Sequence, residues 1–348
     1  MLLEHVSEFR CPRSRTVLRL IDPVLRGDEI VSGRMVSAEG DAYSIENGIP
    51  NFVDPALLTA LEAQTKDEYD RVAAEIYDIA VNWQFAAMNE DENAVRESMV
   101  DMLDLHGGER VLEAGCGTGR DSFRLARRLA SKGRLHMQDL SPLMVAACVR
   151  TMSDQAATLN LSCSLDYSVS NATALPFPDD FFDTVFHFGG FNQFGDLRKG
   201  AAELTRVAKP GGRILIGDEA VAPWLKGTEF EAVVTTNNAL FKAEIPLAAL
   251  PESAMDVVVR WIIGNCFYVI SFRKGDGLPP LNLDLAHQGW RGGTMRSRYF
   301  GVLEGVTVEA KALAKQAAAK AGVSVHEWLD RLVKAEAAVV LDDPKGKP

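Results

Sequence analysis

The chain has 348 residues, of which 47% are hydrophobic and 24% charged, an ordinary balance for a globular protein with a sizeable core. Lysine and arginine number 37 and aspartate and glutamate 48, so the net charge is −11. Phosphate backbones repel such an anion unless a basic patch intervenes, so nucleic acid is not the expected partner.

The first 58 residues alternate short apolar runs (TVLRLI, EIVSG, YSIENGIPNFV) with turn residues and read as a small β-rich module. Residues 60–105 carry helical spacing in DEYDRVAAEIYDIAVNW and in ENAVRESMVDMLDL, closed by the turn HGGER. From residue 110 to 275, apolar strand-like runs (RVLEAG, GRLHMQDL, DTVFHF, GRILIGD, FYVISFRKG) alternate with helical ones (DSFRLARRLA, PLMVAACVRTM). That alternation predicts an α/β domain over 59–275 with a mostly parallel sheet covered on both faces. Residues 219–260, rich in Ala, Leu and Val, read as a helical insertion. The segment 276–348 reads as a Gly/Pro-rich loop, a helical hairpin and a frayed tail. Thr307 caps its first helix, Gly322 ends it, and Ser324 with Glu327 forms a capping box for the second.

The chemistry concentrates in four elements. In VLEAGCGTGRD (111–121) a strand ends in Glu113, then Gly115, Gly117 and Gly119 follow at two-residue spacing before a helix. Glycines let the backbone turn sharply and let a ligand approach the main chain, and the helix start offers free N–H groups. In LHMQDLSPLM (135–144) Asp139 ends the next strand, where an acid can accept the two hydroxyls of a ribose. In NATALPFPDDFFDTVFHFGG (171–190) Asn171 follows the third strand and can pair with an adenine edge. In RVAKPGGRILIGD (206–218) a Pro-Gly-Gly turn enters a fifth strand.

These elements, in this order and spacing, resemble the class I S-adenosylmethionine-dependent methyltransferases, and most of all the ubiquinone/menaquinone-biosynthesis-type branch. The resemblance covers about residues 65–220. It implies a Rossmann-like seven-stranded sheet, with the helical insertion and both terminal extensions added to it. The implied cofactor is S-adenosylmethionine, with S-adenosylhomocysteine as product, and the implied acceptor is a small molecule. By the same resemblance Glu113 anchors the methionine amino group, and Gly115, Cys116, Gly117 and Gly119 form the floor under the cofactor. Asp139 holds the ribose, Leu140 packs on adenine, and Asn171, with Ala172 beside it, meets the adenine edge where the family usually has Asp. Phe188, Gly189 and Gly190 lie near the methyl end. Tyr69 and Tyr77 fall on a helix like the family's N-terminal lid.

His187, Asn192 and Gln193 are the candidates near the methyl end, with His187 and Asn192 carrying the catalytic expectation. Trp224, Tyr268, Trp290 and Arg291 are expected at the acceptor pocket, since aromatics suit a partly apolar or cationic acceptor. The pair FRCPRS and AYSIENGIPNFVD is similar to zinc-ribbon-like modules found beside some RNA methyltransferases. A closed zinc site needs four ligands. Cys11 is followed by Ser14 and no second cysteine pair exists, so no metal is expected. The C-terminal helices are similar to the helical half of ribbon-helix-helix proteins, and a homodimer through the terminal modules is expected. Five scattered cysteines without a CxxC pair fit a reducing compartment. The run Trp261–Ile270 falls short of a membrane span of roughly 20 residues, so a cytoplasmic protein with no membrane insertion is expected. The rival readings are an RNA or protein methyltransferase and a non-catalytic cofactor-binding regulator.

Overall fold

The computed structural model describes residues 1–72, 74–290, 292–300 and 306–341. These form two compact units, residues 1–279 and residues from 280 onward.

The first unit opens with an antiparallel meander: β1 (Arg19–Arg26), β2 (Glu29–Val36), β3 (Ala42–Glu46) and β4 (Ile49–Asn51). The β3–β4 turn is Asn47-Gly48, both at positive φ (52° and 75°), the two-residue hairpin turn whose twist matches the strands. Three helices follow, α1 (Ala60–Tyr69), α2 (Ala74–Ala87) and α3 (Glu92–Asp101). The stretch read as one helix across residues 67–83 is thus two. Then come β5 (Arg110–Ala114), α4 (Ser122–Arg127), β6 (Arg134–Asp139), α5 (Pro142–Leu159), β7 (Ser164–Val169), β8 (Phe182–Phe188), α6 (Leu197–Val207) and β9 (Ala208–Glu219). The unit closes with α7 (Glu229–Asn237), β10 (Ala254–Ile262) and β11 (Phe267–Lys274).

Among the described residues eleven strands form one sheet, in the order β1-β2-β3-β4-β7-β6-β5-β8-β9-β11-β10. Strands β7, β6, β5, β8 and β9 are parallel, β11 runs against β9, and β10 runs against β11. These seven are the expected mostly parallel sheet. Its order reverses between β6 and β8 on the two sides of β5, which opens a crevice at the strands' carboxyl ends. The central strands are apolar almost throughout because helices cover both faces: Val111, Leu112 and Ala114 of β5 are fully buried.

The N-terminal strands continue this sheet. Strand β4 pairs in parallel with β7 through Asn51 and Val169, and the Phe52 N–H donates to Val169 O at 2.7 Å. The core is continuous across that junction. Phe9 packs on Phe52 and Phe177, with ring centroids 5.0 and 5.5 Å apart, in the cluster that includes Leu112 and Ile216. A buried polar network reinforces it. His5 Nδ1 lies 2.9 Å from Asp166 Oδ1, and Arg134 bridges Glu8 and Asp166 at 2.7 and 2.5 Å.

One expectation is corrected. The insertion over 219–260 is helical only in part, because Ala254–Ile262 is strand β10. Its run Val257-Val258-Val259 is β-branched, and Ile263, Gly264 and Asn265, all at positive φ, turn it back into β11. A continuous apolar run does not distinguish the two structures by periodicity.

The second unit contains α8 (Met295–Phe300), α9 (Val308–Ala321) and α10 (Val325–Leu341). The Thr307 side chain accepts the Ala310 N–H at 3.1 Å, Gly322 ends α9 at φ 69°, and Ser324 Oγ accepts the Glu327 N–H at 3.1 Å. Among the described residues no helix is long and apolar enough to cross a membrane, and no group of three or more His, Cys, Asp or Glu is placed to hold a metal ion.

Phe9→Ala should cost about 3–5 kcal/mol. Urea unfolding of residues 1–279 should remain a single transition at a lower midpoint, since Phe9 belongs to the common core. Separate transitions for the N-terminal strands and the parallel sheet would contradict that continuity.

Candidate functional site

A cavity of about 240 Å³ opens at the carboxyl ends of β5 to β9. Each strand end contributes to its floor: Gly115 and Gly117 after β5, Asp139 and Leu140 at β6, Asn171 and Ala172 after β7, His187 and Phe188 at β8, and Glu219 at β9. Helices α1 and α2 supply the roof through Glu62, Tyr69 and Tyr77.

The glycine loop needs its glycines for two separate reasons. Gly115 has φ 73°, and a Cβ there would stand 3.2 Å from the His187 ring. Gly119 has φ 90° and faces α5, where a Cβ would meet Cys148 Sγ at 3.2 Å. The first thus keeps the cavity open and the last lets helix and loop pack. The loop is tied to β6: the Gly115 and Cys116 N–H groups both donate to Gln138 O, and the Gly117 N–H donates to Asp139 Oδ2 at 3.0 Å.

Asp139 Oδ1 accepts the Ser141 N–H at 2.9 Å. Each carboxylate oxygen therefore holds one backbone N–H and keeps further acceptor capacity, as a vicinal diol requires. Burial pushes this carboxyl above its usual range, opposed by the N–H groups of Ser141, Gly117 and Leu140. Asn171 is buried. Its Oδ1 accepts the Thr173 N–H at 2.9 Å, and its Nδ2 has no partner.

His187 is buried at the centre. Its Nδ1 lies 2.7 Å from Ala114 O, and a carbonyl can only accept, so Nδ1 carries the proton. Nε2 is then a lone pair, and it has no partner. Burial lowers the pKa, against the Ala114 hydrogen bond, so the ring is neutral. Phe188 completes the wall between this cavity and a smaller one of about 80 Å³ lined by Arg96, Cys116, Asp121 and Tyr77. Tyr69 and Tyr77 meet edge to face with centroids 6.0 Å apart, and burial pushes the Tyr77 hydroxyl up to about 12.

Several expected residues lie elsewhere. Glu113 does not line the cavity; it is buried and accepts a hydrogen bond from Ser122 Oγ. Asn192 is spent on structure. Its Nδ2 donates to Glu219 O at 2.6 Å, its Oδ1 accepts from Tyr268 Oη at 3.3 Å, and its N–H donates to Asp218. Tyr268 is fully buried in the core, its ring 6.4 Å from that of its cross-strand neighbour Trp261, which removes it from the acceptor wall. Trp224 is exposed against Trp261, 5.7 Å away. Trp290 is exposed in the second unit, and Arg291 lies outside the described residues.

Two acidic cavity residues escaped the sequence reading. Glu219 follows Asp218 at the end of β9. Burial, then its acidic neighbour, pushes its carboxyl well above the usual range. An acid pair at the carboxyl end of a parallel strand was the available signal. Glu62 forms the capping box of α1 with Thr59; the pattern T-x-x-E is a signal for a helix start and carries none for a cavity wall.

An open, mostly parallel sheet with a glycine loop and an acid at adjacent strand ends beside its switch point is the arrangement of a nucleotide-type cofactor fold. Residues 111–212 match the methyltransferase domain family. The chain is similar to the ubiquinone/menaquinone biosynthesis C-methyltransferase of Francisella tularensis subsp. tularensis, 30% identical over 112 residues, which is 32% of this chain and 43% of that protein. The protein of the same name from Yersinia pestis bv. Antiqua is 32% identical over 117 residues, 34% of this chain and 45% of that one. The chain thus spans less than half the length of these curated relatives. Among solved structures it is similar to geranyl diphosphate C-methyltransferase from Streptomyces coelicolor A3(2), at 18% identity and a TM-score of 0.46, over 63% of this chain and 100% of that one.

Burial, with Cys148 and Asp121, raises Glu113 well above its usual range, while the Ser122 hydroxyl opposes this. A carboxyl raised in the folded state contributes stability that is complete below its unfolded pKa and is lost as pH rises through the folded value. Glu113→Gln keeps an acceptor for Ser122 and has no such loss. Its melting temperature relative to the parent should therefore climb as pH rises above the usual carboxylate range. A constant difference over that rise would contradict the assignment.

Proposed function

We propose that the protein is an S-adenosylmethionine-dependent methyltransferase that transfers the methyl group in line to a small-molecule acceptor. The observation that carries this reading is the convergence of the Gly115–Gly117 backbone, the doubly tied Asp139 carboxylate and the unsatisfied Asn171 amide on one cavity. These groups fit the cofactor: Asp139 accepts the ribose hydroxyls, Leu140 and Met144 bracket the base, and Asn171 meets its edge. The bound sulfonium supplies an activated methyl group and its own leaving group, so the protein's task is alignment and exclusion of water.

The acceptor end is formed by Phe188, Phe194, Tyr69 and Leu240, an apolar and aromatic wall that suits a small, partly apolar molecule. An acceptor that must lose a proton needs a base within reach. The cavity offers two: the His187 Nε2 lone pair and, once it has lost its proton, the Glu219 carboxyl, which burial makes the more basic. His187 keeps its catalytic assignment in this reading, and Glu219 takes the place first given to Asn192.

Calorimetric titration with S-adenosylmethionine and S-adenosylhomocysteine tests the reading. Binding should be micromolar, and Asp139→Ala should weaken it at least tenfold, about 1.4 kcal/mol. Absence of binding by the parent protein would overturn it.

A further inference from the structure

The base-binding end of the cavity departs from the pattern the resemblance implies. Asn171 stands where an acid is expected, and its Oδ1 already holds the Thr173 N–H. A backbone N–H only donates, so the amide oxygen faces Thr173, and the buried Nδ2, with no partner within hydrogen-bond distance, is turned to the side of the Glu62 carboxylate with an N–H to spare. Thr173 also reaches a second side chain. Its hydroxyl donates to Glu62 Oε1 at 2.9 Å, and Glu62 Oε2 accepts the Thr59 N–H at 2.8 Å. Glu62 and Asn171, both held by Thr173, line the same cavity, and each is more than nine-tenths buried. Burial alone would raise the Glu62 carboxyl, but the Thr59 N–H and the hydrogen-bonding groups of Thr173 and Asn171 hold it below its usual range, hence ionised.

The geometry points to Glu62, on the roof helix α1, as the acceptor that reads the exocyclic amine of the cofactor's purine, while Asn171 Nδ2 donates to a ring nitrogen. This rests on the methyltransferase reading for the identity of the ligand. One acceptor beside one donor complements a 6-amino purine, which presents an amine donor next to a ring-nitrogen acceptor. A 6-oxo purine reverses that order, setting a carbonyl oxygen against the carboxylate and a ring N–H against the amide donor. The acid that the β7 loop lacks is supplied by the roof, so base recognition requires α1 to be seated on the sheet.

Calorimetry with S-adenosylhomocysteine and S-inosylhomocysteine on the full chain and its Glu62→Gln variant tests this. The parent should bind the adenosyl ligand at least tenfold more tightly than the inosyl one. Glu62→Gln should weaken the adenosyl ligand at least tenfold and leave the inosyl one within about twofold. Equal weakening of both would assign Glu62 to capping α1 and overturn the proposal, as would unchanged adenosyl affinity. If the variant does not fold, the parent's selectivity decides: equal affinity for the two ligands overturns it. Failure of the parent to bind either ligand overturns the methyltransferase reading itself, whereas adenosyl binding indifferent to Glu62→Gln overturns this inference alone.

Discussion

The N–H of Gly117 donates to the Asp139 carboxylate across the tips of two adjacent strands, and the geometry of the site follows from that cross-tie. The loop after β5 cannot reach Asp139 without positive φ at Gly115 and Gly117. Once there, it is pinned again by the two N–H groups that share Gln138 O. The carboxylate is in turn fixed in direction, with one oxygen on Gly117 and the other on Ser141. Ligand-facing acceptor positions are thus set by backbone, which has no rotamers to lose, rather than by a flexible side chain.

The roof is attached differently. Helix α1 reaches the body through Glu62 to Thr173 and Asp70 to Ser141, and α2 through Asp78 to Thr118 and Arg120. Side-chain bonds of this kind, to charged groups, contribute about 1.5–3 kcal/mol each. The floor is held by a parallel ladder with buried apolar strands. The two halves of the cavity therefore differ in how much free energy it takes to open them, and the roof is the half that opens first.

Legibility in the sequence followed the same division. The floor was readable because its signals are backbone requirements: glycines where φ must be positive, and acids at the ends of apolar strands. The direction of a side chain leaving a buried strand or a tight turn was not readable. Tyr268 sits on a strand apolar on both faces, so alternation says nothing about which side it takes, and it points into the core. Asn192 lies in a short turn whose orientation is fixed by Asp218 and Glu219 O, contacts made only once β8 and β9 are paired. The strand ladder that joins the N-terminal strands to the main sheet is one long-range pair, Asn51 with Val169, which leaves no local trace. Glu62 carries a local helix-capping pattern with Thr59, but its second role depends on Thr173, far along the chain.

That single pair also imposes an order on biosynthesis. Strand β4 is made early, yet its pairing partner β7 exists only after the glycine loop, β6 and α5 have been made. Until then the N-terminal meander presents an open edge and half of an unfilled aromatic cluster, Phe9 and Phe52 without Phe177. A long-range contact of this kind closes late and slowly. The nascent chain is most exposed to wrong edge-to-edge association in the interval before Val169 leaves the ribosome.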